Sequence, residues 1–554
     1  MTSSVSRVRE ANQSDPEPGE PPLLDVRDVS MRFGEGDASL VVFEHANFQV
    51  NAGEFVTIVG PSGCGKSTML NVIVGLARPT SGEVLIKNEL LKAGDDRVGY
   101  VTQRDSLFPW RTLQENVEYV LEVKGVPKEE RRQKVRDLIA MVNLEGFEDR
   151  YPYQLSGGMR QRAMIIRSLA AAPEVLVLDE PFGALDAQTR GQLQNELQSI
   201  QASTGQTMLF VTHDLSEAVL LADRVVVFGP RPQGIVAQHE VEISRPRDSF
   251  RVQEEPNYHP VHAAVVAEVM STGSPAATTA GPRSAPTRRA RKRRSSSTGP
   301  IHKAKLAASN LVFVFALLAL WQLASGRLLD SFFVSRPTDV AKQLWNFLGD
   351  SGFWNDMHVT LVELLLGFIA GAVPAFVIAL LVIQSSRVVS FLDPYFTGAY
   401  GIPKSAMAPL FVAWFGIDTS SKIAMGAVGT FFVVYFNFVA GLRDVDPALL
   451  DVSKVSGARR LKQFASVRLP AALPGLFTGI KVALPLTLVM VIVAEFISSD
   501  NGLGYRIVQS SNNFKISATI ATLIVLGLIV MVLNFLLVAV ERRLLRWRPT
   551  EGIQ

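Results

Sequence analysis

The sequence lacks several features that mark other protein classes. It contains a single cysteine, Cys64, which excludes an internal disulfide framework and a cysteine-rich zinc site. The net charge is only +3 over 554 residues, so no global charge favours nucleic acid. The N-terminal stretch carries acidic residues and prolines but no long apolar run, so it does not have the pattern of a secretory signal peptide. We expect residues 1–23 to be disordered and the N-terminal half to stay in the cytoplasm.

Short apolar segments alternate with helical patterns between Leu24 and Met270. The segments FVTIVG, VLVLDE, MLFVTH and RVVVFG are typical of strands, and each is followed by a turn or a helix. This alternation predicts an α/β domain with a largely parallel sheet over residues 24–270.

A different composition begins at Ser271. Residues 271–305 are rich in Pro, Ser, Thr, Ala and Arg and have no apolar periodicity, so they cannot bury enough surface to offset their chain entropy. We predict a disordered basic linker. Its RRARKRR run is typical of the basic flank of a membrane helix, and we expect no nucleic-acid partner.

The remaining residues, 306–554, contain apolar segments long enough to cross a bilayer core of roughly 30 Å. Pro403 and Pro409 interrupt one of these segments, but helix bundles tolerate proline. We predict an all-α transmembrane domain of six helices, at about Leu306–Ala324, Val359–Ile383, Tyr395–Phe415, Ile423–Gly441, Leu473–Phe496 and Ile516–Val540. The lipid bilayer is therefore an expected partner.

Cationic residues are concentrated in alternate connections between these segments. The linker, the loop at Arg387, the stretch Leu442–Arg468 and the C-terminal tail are basic, whereas the other connections carry far fewer cations near the membrane. Because basic segments stay on the cytoplasmic side, we predict a multi-pass protein of the cytoplasmic (inner) membrane. Both the N-terminal half and the C-terminus then lie in the cytoplasm, as an even number of spans requires.

One glycine-rich stretch, GPSGCGKST, lies between the strand-like FVTIVG and a helical segment. It matches the phosphate-binding P-loop pattern in its strand–loop–helix context. In such a loop Lys66 reaches the β and γ phosphates of ATP, and the Ser67 hydroxyl binds Mg²⁺. Backbone N–H groups supply most of the phosphate contacts, so Cys64 is expected to act through its backbone and not as a reactive thiolate. The predicted ATP-binding residues here are Gly60, Pro61, Ser62, Gly63, Cys64, Gly65, Lys66, Ser67 and Thr68.

A second motif, VLVLDEP, ends an apolar strand with two carboxylates. Ligands of open α/β sheets bind at the carboxyl ends of the strands, where this motif and the P-loop would meet. Asp179 is suited to the Mg²⁺ shell, and Glu180 is suited to general-base catalysis on an attacking water.

Several further motifs make residues 24–270 resemble the ATP-binding cassette (ABC) ATPases, which are α/β P-loop NTPases. The stretches YVTQRD, LSGGMRQR, GALDA and VTHDLSEA occur in that family's order. The resemblance implies that Gln103 binds Mg²⁺ and takes part in catalysis with His213, that Asp186 is the D-loop aspartate, and that Phe33 stacks on adenine.

The same resemblance implies an ATP site built from two chains. In this family the signature residues cover the γ-phosphate of ATP held by the opposite subunit. One chain holds one cassette, so we expect a homodimer with two ATP sites. The signature residues that act in trans are Leu155, Ser156, Gly157, Gly158 and Met159.

The second half resembles the membrane subunits of binding-protein-dependent importers. Within the predicted cytoplasmic loop 442–472, Asp451, Gly457, Leu469 and Pro470 follow the spacing of that family's coupling motif. The resemblance implies a short helix that docks on the cassette near Gln103 and transmits cassette closure to the membrane helices.

Other stretches narrow the resemblance to one group of these importers. TLVELLLGF, AEFISSDNGLGYRI and the cassette's SLFPWRTLQENV resemble the nitrate, sulfonate and taurine group, which implies an extracytoplasmic solute-binding protein. Glu363 departs from that group, which commonly has an arginine there. A glutamate would not favour an anion, although a polar residue near the outer interface would also account for it.

The sequence as a whole predicts an ATP-driven importer with a fused ATPase and permease. The predicted solute is an anion such as sulfonate, taurine or nitrate. Another small organic solute, such as a thiamine-related pyrimidine, stays open. A membrane-anchored regulatory ATPase needs neither six spans nor a docking motif, and exporters usually place their spans before the cassette.

Overall fold

The computed structural model describes residues 21–34, 39–183, 185–272, 300–325, 327 and 334–548. Most of the predicted disordered N-terminus and most of the predicted linker, 273–299, lie outside the described residues. The described chain forms two compact units. One contains the residues up to Thr272 together with Val445–Pro470 and the chain end from Trp547; the other runs from Pro300 to Asp444 and from Ala471 to Arg546.

The first unit contains two β-sheets. Its strands are Leu24–Phe33 (β1), Leu40–Val50 (β2), Phe55–Val59 (β3), Ser81–Ile86 (β4), Glu89–Leu90 (β5), Val98–Val101 (β6), Val175–Asp179 (β7), Thr207–Val211 (β8), Arg224–Phe228 (β9) and Ile235–Glu240 (β10). The smaller sheet has the order β2–β1–β4–β5, and the larger has the order β10–β9–β3–β8–β7–β6. The larger sheet is parallel except for β10, so the predicted parallel sheet is confirmed.

Helices cover the larger sheet. They are Lys66–Ile73 (α1), Leu113–Val123 (α2), Lys128–Met141 (α3), Gly157–Leu169 (α4), Ala187–Thr204 (α5), Leu215–Leu221 (α6) and Tyr258–Thr272 (α7). Every residue of β3, β7 and β8 is buried. This explains why these strands have continuous apolar runs instead of alternating patterns, since helices cover one face of the sheet and α1 together with the smaller sheet covers the other.

The second unit is helical throughout its described residues. In chain order the helices from Pro300 onward are Pro300–Ala324 (α8), Pro337–Leu348 (α9), Ser351–Val382 (α10), Ser386–Gly401 (α11), Ala408–Phe415 (α12), Thr419–Arg443 (α13), Pro447–Val455 (α14), Arg460–Gln463 (α15), Leu469–Ser498 (α16), Leu503–Asn512 (α17) and Ile516–Leu544 (α18). Of these, α14 and α15 belong to the first unit. Four described helical stretches are long and apolar enough to cross a membrane: Ser351–Val382, Thr419–Arg443, Arg460–Ser498 and Ile516–Leu544.

The third predicted span, Tyr395–Phe415, is not a single helix. Helix α11 ends at Gly401, a 3₁₀ turn covers Lys404–Met407, and α12 begins only at Ala408. Pro403 lacks a backbone N–H and disfavours a helical conformation in the residue before it, so the helix breaks there. The predicted span therefore contains a break at Pro403, one of the two prolines that interrupt it in the sequence, and its crossing of the membrane stays a prediction. The first predicted span falls in α8, whose described apolar part is Val312–Ala324.

Small residues bring α10 and α13 into close contact. A Cβ atom added to Gly371 of α10 would lie 2.3 Å from the backbone oxygen of Ala427 in α13, so no larger residue fits. Gly367, one turn earlier, packs against Gly426 in the same way. Such contacts are typical of helix pairs in membranes. One further turn along each helix places Glu363 beside Lys422.

Candidate functional site

The P-loop joins β3 to α1. Gly65 has a φ of 115°, and a Cβ atom on it would lie 2.8 Å from Val42 Cγ1, so this turn requires glycine. Lys66 is buried, and its Nζ donates hydrogen bonds to the backbone oxygens of Gly60 (2.8 Å) and Pro61 (3.1 Å). The loop thus folds around the Lys66 ammonium group at the carboxyl end of β3.

Asp179, the last residue of β7, lies beside the start of α1. Its Oδ1 is 3.5 Å from the Ser67 hydroxyl, and the residue is only 5% exposed. Burial, assisted by the negative charge of Glu180, raises the pKa of Asp179 to about 6. A buried carboxylate with so weak a hydrogen bond is one that a bound cation would stabilise in its ionised form.

Glu180 is the centre of a second group of polar side chains. Its Oε2 accepts a hydrogen bond from Gln103 Nε2 at 2.9 Å and lies 3.2 Å from His213 Nδ1. The three residues follow the neighbouring strands β6, β7 and β8, which explains how positions far apart in the sequence meet. Glu180 also has a φ of 43°, a strained backbone conformation that is found often at functional sites.

The signature residues form a different group with Asp186. The Ser156 side chain caps α4 by accepting a hydrogen bond from the backbone N–H of Met159 (3.3 Å). Asp186 caps α5 by accepting hydrogen bonds from the backbone N–H (3.0 Å) and the hydroxyl (2.9 Å) of Thr189. A Cβ atom on Gly158 would lie 2.9 Å from Thr189 Cγ2, so the two helix starts touch. Within the described residues, no hydrogen bond joins Ser156–Met159 to the P-loop.

Two other predicted residues differ in accessibility. Phe33 ends β1 with half of its surface exposed, so its ring is free to contact a ligand. Cys64 is buried, and its Sγ lies 3.9 Å from Lys66 Nζ. Burial fits the expectation that this thiol is a bystander, because reactive thiols are partly exposed.

The loop Val445–Pro470, which contains the predicted coupling motif, packs on the cassette within the first unit. Tyr119 of α2 is fully buried, and its hydroxyl lies 2.7 Å from Ser453 Oγ and 3.3 Å from Ser466 Oγ. The indole N–H of Trp110 donates to the backbone oxygen of Ser466 at 3.1 Å. The loop is therefore held by the segment that runs from Trp110 through α2.

An ion pair strengthens this surface. Glu122 accepts hydrogen bonds from Lys462 and from Arg111, the latter at 2.8 Å. Burial alone would raise the pKa of Glu122, but these two cations outweigh it and lower the pKa below its ordinary value. Gly457 packs closely against Gly94.

The remaining residues of the predicted motif lie at the edges of this surface. Asp451 pairs with Lys454 at 3.1 Å, on α14 itself. Leu469 and Pro470 open α16, so they mark the end of the loop.

Known protein families match residues in both halves of the chain. Residues 43–183 match the ABC transporter family, and residues 363–547 match the binding-protein-dependent transport system inner membrane component. The ABC transporter ATP-binding protein MJ0412 of Methanocaldococcus jannaschii, itself uncharacterized, is 48% identical over 231 residues, which cover 42% of this chain and 86% of that protein. The chain belongs to the ABC transporters.

Two further relatives of the transporter have assigned solutes. The aliphatic sulfonates import ATP-binding protein SsuB of Bacillus thuringiensis is 42% identical over 225 residues, covering 41% of this chain and 88% of that protein. The nitrate import ATP-binding protein NrtC of Synechococcus elongatus is 42% identical over 228 residues, covering 40% of this chain and 34% of that protein. Among solved structures, the dimeric ADP- and phosphate-bound cassette MJ0796 is 33% identical, covers 40% of this chain and 100% of that chain, and has a TM-score of 0.36.

These findings confirm the predicted class of protein. The transporter is an importer that carries an ATPase and a permease in one chain, and its ATP hydrolysis is coupled to transport across a membrane. The nucleotide-binding cassette precedes the helical permease, as expected from the order of the motifs. The roles of individual side chains stay predictions.

Sequence reasoning missed the residues that hold the loop Val445–Pro470. It placed the docking groove near Gln103, and α14 does pack against β6, which ends two residues before Gln103, but further contacts lie at Trp110, Tyr119 and Glu122. A signal was present, because the stretch FPWRTLQENVEYVLE combines aromatic residues with an amphipathic helix.

The Glu122–Lys462 pair gives a testable prediction about the loop. We expect Glu122→Lys to lower the thermal midpoint of the purified full chain, because three cations would then meet. Adding Lys462→Glu should restore much of the loss, with a coupling energy of about 0.5–3 kcal/mol in a double-mutant cycle.

The exposed pair Glu130–Lys134 on α3 is a matched control. The same charge reversals there should change stability by less than about 1 kcal/mol. The assigned contact would be contradicted if the stability lost in the double variant at Glu122 and Lys462 equalled the sum of the losses in the two single variants.

Proposed function

We propose that the transporter imports a small anion of the sulfonate or nitrate type across the cytoplasmic membrane. The carrying observation is the 42% identity of its cassette to the sulfonate import protein SsuB over 88% of that protein. The similarity to the nitrate import protein NrtC supports the same group of solutes. We further propose that a separate extracytoplasmic solute-binding protein delivers the solute, in keeping with the permease family.

The proposed topology follows the charge distribution. We place the cassette, the loop Val445–Pro470 and the C-terminus in the cytoplasm, since these segments carry the basic residues. The six-helix count requires α8 and the broken pair α11–α12 to complete two spans in addition to the four long helices. The apolar faces of these helices would contact the lipid.

In the proposed ATP site each group has a separate task. Lys66 and the P-loop N–H groups hold the phosphates, and Phe33 stacks on the adenine. Glu180 accepts a proton from the attacking water. Gln103 and His213 contact its Oε2, so they orient the carboxylate towards the phosphate.

The residues around Asp179 fit a magnesium ion. Hydroxyl, amide and carboxylate oxygens are the ligands that Mg²⁺ prefers, and Ser67, Gln103 and Asp179 offer one of each. Within the described residues, no cluster of three or more His, Cys, Asp or Glu side chains could hold a metal. An ion at Asp179 would instead be held by one carboxylate and by the phosphates of the nucleotide. When bound, Mg²⁺ would neutralise charge that develops on the phosphates.

The arrangement of the signature residues supports a homodimer. Leu155–Met159 make no hydrogen bond to the P-loop in the described chain, yet the start of α4 presents N–H groups suited to an anion. A second chain would place this helix start against the γ-phosphate. ATP would then join two cassettes, and hydrolysis would release them. The loop at Ser453 and Lys462 would carry that movement to the membrane helices.

A different organic solute remains the second proposal, and Glu363 is the observation that favours it. This buried carboxylate would repel a simple anion. A solute with a cationic group, such as an aminated pyrimidine, would be attracted. A purely regulatory ATPase finds no support in the permease match.

Uptake of labelled solutes tests the proposed function. Cells that express the full chain together with a solute-binding protein of a sulfonate or nitrate importer should accumulate an alkanesulfonate or nitrate. Cells with the Glu180→Gln variant should not, because import requires ATP hydrolysis. Accumulation of neither anion, with accumulation of a labelled pyrimidine, would reject the proposed solute and favour the second proposal.

A further inference from the structure

A further carboxylate, Glu217 of α6, is buried in the first unit close to Glu180. Glu217 is only 6% exposed, and its oxygens accept hydrogen bonds from Thr212 Oγ1 at 2.5 Å and from Gln194 Nε2 at 2.9 Å. Both of these donors are neutral groups. A carboxylate that is buried among neutral partners is costly, because its charge loses most of its hydration. The proposed ATP site gives Glu217 no task, so that site does not explain its burial.

The hydroxyl group of Thr212 connects Glu217 to the turn that carries His213. This hydroxyl accepts a hydrogen bond from the backbone N–H of Asp214 at 3.0 Å. It donates its own proton to Glu217, because an ionised carboxylate can only accept. The residues immediately before and after His213 are thus joined by the Thr212 hydroxyl, and Glu217 holds that hydroxyl in place.

The same turn is tied to two helices. The Asp214 side chain caps α6 by accepting hydrogen bonds from the backbone N–H groups of Ser216 (3.0 Å) and Glu217 (3.3 Å). Gln194, the other donor to Glu217, belongs to α5, the helix that begins at the Asp186 cap. Glu217 therefore joins the turn to α5 as well as to α6.

The position of the His213 ring depends on this turn. The His213 side chain is 62% exposed, and its Nδ1 lies 3.2 Å from Glu180 Oε2. A mostly exposed ring is held by little packing of its own, so the backbone that carries it decides where it lies. Glu180, Thr212, His213 and Glu217 also line one small cavity of about 30 Å³. The hydrogen bonds of Glu217 therefore lie next to the contact that they would affect.

We propose that Glu217 and Thr212 are positioning residues for ATP hydrolysis, which hold the turn at His213 so that its ring contacts Glu180. This inference rests on the proposed roles of Glu180 and His213 and adds two residues that act through His213. Glu217 sets the direction of the Thr212 hydroxyl, and that hydroxyl holds the Asp214 N–H. A buried polar network fixes one geometry only when all of its members are satisfied. Loss of the Thr212 hydroxyl should therefore let His213 move away from Glu180.

Substitution of Thr212 in the purified full chain tests this inference. Thr212→Val keeps the branched shape of the side chain but removes both hydrogen bonds of the hydroxyl. We expect its kcat for ATP hydrolysis to fall by about tenfold or more, because a small displacement of a catalytic group can cost about a hundredfold. The KM for ATP should change little, since the P-loop is unaltered. Thr212→Ser keeps the hydroxyl and should retain most of the wild-type turnover.

Thr57 provides the matched control for this substitution. It is fully buried in β3, and its hydroxyl makes no hydrogen bond to any described residue. Thr57→Val makes the same change from a buried hydroxyl to a methyl group and should leave kcat unchanged.

The His213→Ala background distinguishes positioning from a general loss of stability. The ring is absent in this background, so adding Thr212→Val should lower turnover no further, because the effects of residues that act as a unit are not additive. A merely structural effect of Thr212→Val would lower turnover by the same factor with and without the ring. Single-turnover measurements with protein in excess over ATP can follow these slow variants.

Several outcomes would overturn the inference. They are wild-type turnover in Thr212→Val, an equal loss with and without the His213 ring, and a Thr212→Ser variant as slow as Thr212→Val. If Thr212→Val does not fold, Glu217→Gln and Glu217→Met take its place. Glutamine keeps an oxygen that can accept from Thr212 and methionine does not, so equal turnover of these two variants would also overturn the inference.

Failure of the proposed function gives different results. Wild-type turnover in His213→Ala would reject the proposed role of His213 itself, on which the inference rests. A failure of anion uptake, with the expected turnover of all these variants, would reject only the proposed solute.

Discussion

The Glu180→Gln variant should bind ATP and hydrolyse it about 10²–10⁴ times more slowly than the wild type, the usual contribution of a general base. Glutamine has nearly the same shape and can keep the contact with Gln103, but it cannot accept the proton of the attacking water. ATP affinity should persist, because the proposed phosphate contacts come from the P-loop and Lys66, which this substitution leaves unchanged. The measurements are steady-state ATP turnover and nucleotide binding, both on the purified full chain.

Glu174 provides the matched control for this substitution. It precedes β7, the strand that ends next to Glu180, and its carboxylate pairs with Lys87 at 3.0 Å. Glu174→Gln makes the same acid-to-amide change at the opposite end of the strand and should leave turnover nearly unchanged. Wild-type turnover in Glu180→Gln would remove Glu180 from the proposed catalytic role.

A mixed dimer should regain ATP turnover that its two parent variants have lost. Lys66→Met removes the phosphate-binding cation, and Ser156→Asp places a negative charge where the partner's γ-phosphate is proposed to lie. The ATP turnover of each variant alone should fall by about a hundredfold or more, as it does when other single groups that stabilise transition-state charge are removed. Aspartate is also a good helix N-cap, so Ser156→Asp should leave the start of α4 intact.

The mixed dimer distinguishes sites within one chain from sites shared by two. If the signature acts in trans, the dimer of Lys66→Met with Ser156→Asp contains one site with both defects and one intact site. Its turnover should equal that of the control dimer of Lys66→Met with wild type, which also has one intact site. An active control beside an inactive mixed dimer would contradict the shared site. Differently tagged chains and tandem purification give the required dimers.

The arrangement of the proposed ATP site could be predicted from the sequence because its motifs are local. The P-loop needs glycine at turns with positive φ, and an apolar run ending in Asp179–Glu180 places carboxylates at a strand end. The rule that parallel strands present their carboxyl ends at one edge then brings both motifs together. The structure shows in addition that the side chains of Gln103 and His213 both contact Glu180 Oε2. The family resemblance, not the spacing of these residues, indicated their roles.

Features that depend on tertiary packing were beyond prediction. Glu363 and Lys422 are adjacent only because glycines let α10 and α13 approach closely, and no local pattern reveals such a contact. The antiparallel sheet β2–β1–β4–β5 also went unpredicted. At Pro403 two local signals disagree: hydrophobicity favours a membrane helix, whereas proline disfavours its continuation. Which signal prevails depends on the surrounding helices.

The contact between Glu122 and Lys462 has a consequence for how the transporter is made. Both residues belong to one polypeptide, so the surface that joins the ATPase to the loop Val445–Pro470 does not weaken on dilution, unlike a complex of separate subunits. Every chain that is synthesised therefore contains one ATPase domain and one permease domain. Unequal expression of two genes cannot leave either domain in the cell without the other.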